Sequence, residues 1–181
     1  MNRALVLFWR KGYQATSLED LLKGMGIGRS SFYAAFGDKR TLFIECVDLF
    51  GVRTLDIVRR DRGQMPPLDA LQEFFERSFT DAQGVGSKAN WGCMLVNTVI
   101  EMADVDEDLV SHASRYLSDM QLLFKDCLQE AGASPARAEE LAAMLMVFNE
   151  GIRVSSRRRL PQAQYLQPVA TTFQLIRSVT A

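Results

Sequence analysis

Apolar residues recur along this chain at the three- and four-residue spacing that lines one face of a helix, and the pattern predicts an all-α protein of about nine helices. One helix opens at about Arg3. Leu18, Leu21, Leu22 and Met25 mark the next, with Thr16 and Ser17 able to cap it and Glu19 and Asp20 on the positive end of its dipole. Gly26 stops it in left-handed geometry, and Ile27 is expected to be a buried pin in the turn. A short helix from about Arg29 to Phe36 follows, with Phe32 and Phe36 facing inward. Asp38 caps a longer helix reaching about Arg60, and the stretch from Arg62 to Pro67 breaks it.

Beyond that break the pattern continues. Leu68, Leu71, Phe74, Phe75 and Phe79 stripe one helix, Gln83 to Gly92 reads as a loop, and Cys93 to Met102 as a buried run. After the acidic turn from Asp104 to Asp108, a long helix is expected to Ala131. Ser134 caps and Pro135 opens a helix to about Arg158, and a last helix spans about Gln162 to Val179. The division expected is an N-terminal three-helix unit over residues 1–45 and a C-terminal helical bundle over 46–181.

The chemistry of the first unit lies in its open face. Two helices joined by a glycine turn suit a helix-turn-helix, in which one helix braces the backbone and the next enters the major groove. Arg29, Ser30, Ser31, Ala34 and Ala35 are left facing out. Small residues let a helix approach base edges, serine can bond any base, and arginine can take guanine in a bidentate manner. Tyr33 suits a phosphate oxygen. Lys39 and Arg40, on the first turn after Asp38, make a second candidate phosphate site.

Charge changes the picture only through its distribution. The net charge of −1 is uninformative, but residues 1–60 hold ten Lys and Arg against six Asp and Glu, and the remainder eleven against sixteen. A basic front on an acidic remainder fits nucleic-acid contact at one end. No apolar run approaches a membrane span and no signal peptide opens the chain, so a cytoplasmic location is expected. Cys46, Cys93 and Cys127 are widely spaced and His112 is the single histidine, which argues against a metal site or disulfides. No nucleotide loop, metalloprotease motif or catalytic constellation is present, so neither enzymatic activity nor a cofactor is expected. Arg157, Arg158 and Arg159 read as a solvated or interfacial helix end, not a nucleic-acid patch.

The segment from Phe8 to Phe43 resembles the DNA-binding domain of the TetR family of bacterial transcription regulators. The landmarks are F-W-R-K-G-Y, A-T-S-L-E-D-L, M-G-I-G-R-S-S-F-Y and F-G-D-K-R-T-L-F. The resemblance implies that Arg29, Ser30, Ser31, Ala34 and Ala35 lie toward the bases, and that Ser17, Tyr33 and Lys39 hold phosphates. Family members commonly carry several more residues, often basic, ahead of the first helix. Such an arm would add phosphate contacts without changing which bases are read.

The run G-C-M-L-V-N-T from Gly92 is similar to the G-C-L-L-V-N-T core helix of one branch of the family, whose C-terminal domain encloses an effector cavity. Phe74, Trp91, Cys93, Met94, Asn97, Met144 and Phe148 are the expected lining of such a cavity, and Cys93 is also a candidate for oxidation at a helix start. In the family the last two long helices pair with their copies in a second subunit. Leu141, Leu145, Phe148, Ile152, Val169, Phe173 and Ile176 are expected at that interface, although a helix buried within one protomer would look the same. The resemblance therefore implies a homodimeric, ligand-responsive repressor on a palindromic double-stranded DNA operator, answering to a small-molecule effector. A helical protein-interaction or ligand-binding module without specific DNA binding is the alternative.

Overall fold

The computed structural model describes residues 1–80 and 88–180. Among them are nine α-helices, two 3-10 turns and no strand. The expected loop from Gln83 lies largely outside the described residues, and its end is not irregular: Lys88–Trp91 forms a 3-10 turn.

The chain divides into two compact units, Met1–Arg53 with Cys93–Tyr116, and Thr54–Gly92 with Leu117–Ala181. This division differs from the expected boundary at residue 45, which falls inside a helix. The first unit holds α1 (Asn2–Lys11), α2 (Leu18–Met25), α3 (Arg29–Phe36), the first part of α4 (Lys39–Arg62), α6 (Met94–Met102) and the first part of α7 (Glu107–Glu130). The second holds the remainder of α4 and α7, with α5 (Pro67–Thr80), α8 (Pro135–Ser155) and α9 (Ala163–Thr180).

Local chemistry sets the ends of the short helices. Ser17 and Asp20 form a reciprocal capping box on α2: the Ser17 hydroxyl accepts from the Asp20 N–H at 3.0 Å, and the Asp20 carboxylate accepts from the Ser17 N–H at 3.1 Å. Gly26 ends the helix at φ 72°, a conformation that favours glycine. The core of the first unit includes Ala4, Leu5, Phe8, Leu21, Phe32, Leu42, Phe43, Cys46 and Val47 from α1–α4 and Met94, Leu95, Val96, Met102, Leu109 and Ala113 from α6 and α7, all buried. Phe8 and Phe43 meet edge to face at 4.9 Å, and Tyr13 closes on Phe43 at the same distance.

Three sets of polar contacts tie α6, α7 and the turn between them to α4 and the turn before α2 within this unit. Glu101 accepts from the Tyr13 and Gln14 N–H groups. Arg40 donates two bonds to Asp106, at 2.8 and 3.1 Å, and one to Asp108. Asp48 receives the Tyr116 hydroxyl at 2.8 Å and His112 Nε2 at 2.5 Å. The Tyr116 ring packs so closely on Gly51 of α4 that a Cβ there would lie 2.4 Å from it.

The Arg40 guanidinium, helped by the Leu109 N–H, holds the Asp106 carboxyl down at about 2. A carboxyl depressed in the folded state contributes stability that is complete above its unfolded value near 4 and is lost as pH falls toward 2. Asp20, paired with Lys11 and capping α2, titrates in the same window. An acid titration followed by circular dichroism is expected to show stability falling between about pH 4 and 2. Asp106→Asn is expected to be less stable at neutral pH and to lose less across that window.

In the second unit Phe75 is the hub. It lies 5.7 Å from Phe124, 5.6 Å from Phe148 and 5.5 Å from Phe173, joining α5 to α7, α8 and α9. Ser134 caps α8 through the Arg137 N–H, and Pro135 opens it. The phase of α8 turns the residues expected at the interface inward. Leu141, Leu145 and Ile152 are buried within the protomer, as are Val169, Phe173 and Ile176 of α9, and Phe148 is half-buried against Phe75. The large apolar side chains left in solvent on these helices are Met144, Val147, Val154, Leu175 and Val179. Because α8 is apolar on both faces, pattern alone does not say which face the protomer's own core takes.

Candidate nucleic-acid interface

Phe32 fixes the presentation of α3. It is fully buried, and it contacts the Phe36 ring at 5.6 Å. Seven of the eight residues of α3 are therefore turned away from the deepest part of the core, and Arg29, Ser30, Ser31, Tyr33, Ala34 and Ala35 are all exposed. Five of the six carry short side chains or an arginine, so the backbone can lie close to a partner. An open groove of about 480 Å³ runs beside Ser31 and Ala35, floored by Ile27 and Phe36 and walled by Met1, at the N-cap of α1, and Arg3. That groove leaves Ile27 and Phe36 half-buried, where full burial was expected of Ile27.

The expected phosphate-contacting residues sit on the edges of this face. Ser17 is exposed at the α2 N-terminus, and its hydroxyl can still donate while accepting the capping bond. Tyr33 is 48% exposed, which leaves its hydroxyl in solvent at the end of a rigid ring. Lys39, at the start of α4, places its ammonium 4.3 Å from the Tyr13 ring centroid. Burial pushes the Lys39 pKa down and the Glu101 charge opposes that shift. Arg40 departs from expectation: its guanidinium is engaged by Asp106 and Asp108, and the Thr41 N–H at the head of α4 donates to Asp38, which leaves Lys39 as the candidate phosphate contact there. Sequence reasoning missed Glu101 and Asp106. Their partners stand 66 to 88 residues away, and no short-range spacing signals such a pair.

The expected effector lining is not brought together in one unit. Cys93, Met94 and Asn97 belong to the first, and Phe74, Trp91, Met144 and Phe148 to the second. Cys93 is buried at the N-cap of α6, Met94 is buried and Asn97 half-buried. Phe74 is buried against Phe75 and Phe124, with the Arg153 guanidinium 5.3 Å from its ring. Met144 is 46% exposed, on the outward face of α8. Burial pushes the Cys46 and Cys127 thiols up to about 12 and 11, away from thiolate chemistry. Among the described residues no group of His, Cys, Asp and Glu has metal-binding geometry, and no helix is long and apolar enough to cross a membrane.

A capped helix, a glycine turn and a second helix with a small-residue face define a helix-turn-helix protein. Comparison with known proteins carries this further. Residues 1–46 match the model of "Bacterial regulatory proteins, tetR family", and residues 67–171 match that of "Transcriptional regulator LmrA/YxaF-like, C-terminal domain". The chain belongs to the TetR family of helix-turn-helix transcriptional regulators, a family of regulators rather than enzymes.

Similar proteins include the uncharacterized regulator YezE of Bacillus subtilis strain 168, 28% identical over 83% of this chain and 78% of its own length. The transcriptional repressor ComR of Escherichia coli K12 is 26% identical over 97% of this chain and 86% of its own. Among solved structures, SCO4454 of Streptomyces coelicolor, a TetR-family regulator, has the same fold at TM-score 0.84 and 15% identity, covering 99% of this chain and 93% of its own. A cysteine mutant of CifR, solved with 26 bp operator DNA, aligns at TM-score 0.76 and 23% identity, covering 96% and 93%.

Two substitutions separate positioning from reading on this surface. Arg29→Ala is expected to cost ~1–3 kcal/mol on the preferred sequence and to relax specificity at one base position. Lys39→Ala is expected to weaken binding to every duplex alike and to lower the slope of log affinity against log salt by about 1. Competition binding on a set of single-base operator variants measures both. Equal losses on operator and random duplex for Arg29→Ala would remove it from the base-reading set.

Proposed function

We propose that the chain is a homodimeric, ligand-responsive repressor that reads a palindromic operator. Residues 1–45 read the DNA, and residues 46–181 hold the effector and the dimer contacts. The observation that carries this reading is the open face of α3, where Arg29, Ser30, Ser31, Ala34 and Ala35 are exposed on a helix anchored by buried Phe32. Ser17, Tyr33 and Lys39 flank that face as phosphate contacts. The relatives ComR and BdcR, both repressors of Escherichia coli, and the CifR complex with operator DNA support it by analogy.

Helix-turn-helix readers work in pairs because two half-sites about one DNA turn apart double the contact surface. The dimer contact in this reading is the outward stripe Met144, Val147, Gly151 and Val154 of α8, with Leu175 and Val179 of α9. These are apolar or small, at helical spacing, and Met144, Val147, Val154, Leu175 and Val179 are exposed in the single chain. A small, mostly apolar effector acts through its different affinity for two dimer shapes, one with the two α3 helices in register with the operator and one without. Such a regulator works in the cytoplasm, where its operator is.

The test is binding to the DNA flanking the protein's own gene against a scrambled duplex of equal length, across a salt series. A preference for the flanking DNA that persists at physiological salt supports the reading. A folded monomer with no affinity for either duplex would favour the protein-interaction module.

A further inference from the structure

We propose that Glu101, on the last turn of α6, is a positioning residue for DNA binding: its carboxylate sets the backbone leading into the α2 N-cap and the place of the Lys39 ammonium. The proposal rests on the DNA-binding reading above and adds to it a residue outside the helix-turn-helix.

Both carboxylate oxygens are committed. Oε2 accepts from the Tyr13 N–H at 2.9 Å and Oε1 from the Gln14 N–H at 2.8 Å. These N–H groups belong to the turn between α1 and α2, so Glu101 serves as a side-chain cap delivered from a helix 88 residues away in sequence. Gly12 is shaped to admit it. Its φ is +88°, and a Cβ there would stand 2.6 Å from Oε2. The remainder of the turn is built on the same footing. The Thr16 hydroxyl donates to the Gly12 carbonyl at 2.6 Å, Thr16 is fully buried, and Ser17 caps α2 next in line. On the other side, the Tyr13 ring carries the Lys39 ammonium at 4.3 Å. Glu101 therefore reaches two of the three expected phosphate-contacting residues through one short turn.

The sign of the effect separates positioning from plain electrostatics. A carboxylate near phosphate-binding groups repels DNA, so removing its charge should tighten binding if charge were all it contributed. A positioning role has the opposite sign, because Ser17 and Lys39 lose their fixed places when the turn is released.

The experiment uses the full-length protein and a duplex recovered by selection from a random library. Affinities for it and for random duplex are measured for wild type, Glu101→Ala, Glu101→Gln and Gly12→Ala, with helical content checked by circular dichroism. Amide hydrogen exchange at Tyr13 and Gln14 is followed without DNA. Glu101→Ala is expected to lose about tenfold in affinity for the selected duplex and to weaken random-duplex binding alongside it, as loss of phosphate contacts does. Glu101→Gln keeps an acceptor for one N–H and should recover part of the loss. Gly12→Ala, which pushes on the carboxylate, should weaken the same binding, and Tyr13 and Gln14 should exchange faster in Glu101→Ala. A folded Glu101→Ala that binds the selected duplex as tightly as wild type, or tighter, overturns the proposal. If that variant does not fold, Glu101→Gln decides by the same criterion. A wild-type protein that selects no duplex overturns the DNA-binding reading, and this inference with it, whereas normal wild-type selection with an unaffected variant overturns this inference alone.

Discussion

Val147→Glu is expected to yield a folded monomer that no longer holds an operator. Val147 is 71% exposed on α8, between Met144 and Gly151 of the same stripe, so a carboxylate there costs the single chain almost nothing. In a two-fold symmetric dimer the same change acts twice and brings two like charges into an apolar contact. Burying an unpaired charge of this kind costs several kcal/mol, enough to dissociate an ordinary dimer at micromolar concentration. Loss of the second subunit removes the second half-site contact, and with it roughly 10²–10⁴ of operator affinity. Gel filtration with light scattering should report 20.4 kDa for the variant and twice that for wild type. Leu145→Glu is the counterpart: Leu145 is fully buried, so that change should unfold the protein instead of splitting it. A Val147→Glu protein that remains dimeric would place the interface elsewhere.

The second large effect is expected at Phe32. The ring is fully buried at the centre of the helix-turn-helix. Truncation to alanine removes an aromatic side chain and leaves a cavity, at a cost of about 3–5 kcal/mol. For a chain of this length that corresponds to a drop of roughly 6–20 °C in melting temperature, if unfolding is two-state. DNA binding should be lost with it, because α3 has no other deep anchor. The neighbouring residue gives the control. Tyr33 is half exposed, so Tyr33→Phe should leave the melting temperature within a degree or two while weakening binding to all duplexes. Equal melting temperatures for Phe32→Ala and wild type would contradict the packing described here.

These contrasts show which parts of the molecule were readable from the chain and which were not. Local signals placed the short helices well. The bounds of α3, the Ser17 cap, the left-handed Gly26 and the Ser134–Pro135 start of α8 all follow from backbone chemistry within four or five residues. Long-range partners left no such trace. Arg40 looked like a phosphate ligand beside Lys39, and only the fold brings Asp106 and Asp108 to it. Glu101 is one acidic residue at the end of an apolar run until Gly12–Gln14 arrive at it. The phase of α8 was ambiguous for a related reason. With Leu141, Leu145 and Ile152 on one face and Met144, Val147 and Val154 on the other, either could be core, and Phe75 of a different helix decides. Exposure of Met144 and the division of the expected effector residues between two compact units were out of reach for the same reason.

The most direct test of DNA recognition by this chain is selection from a random duplex library at physiological salt, followed by sequencing of the retained DNA. Enrichment of one palindromic motif is expected, with half-sites about one helical turn apart and weakened selectivity at a single base position for Arg29→Ala. Retention without any enriched motif, or of a motif that Arg29→Ala and Lys39→Ala leave equally well bound, would contradict it.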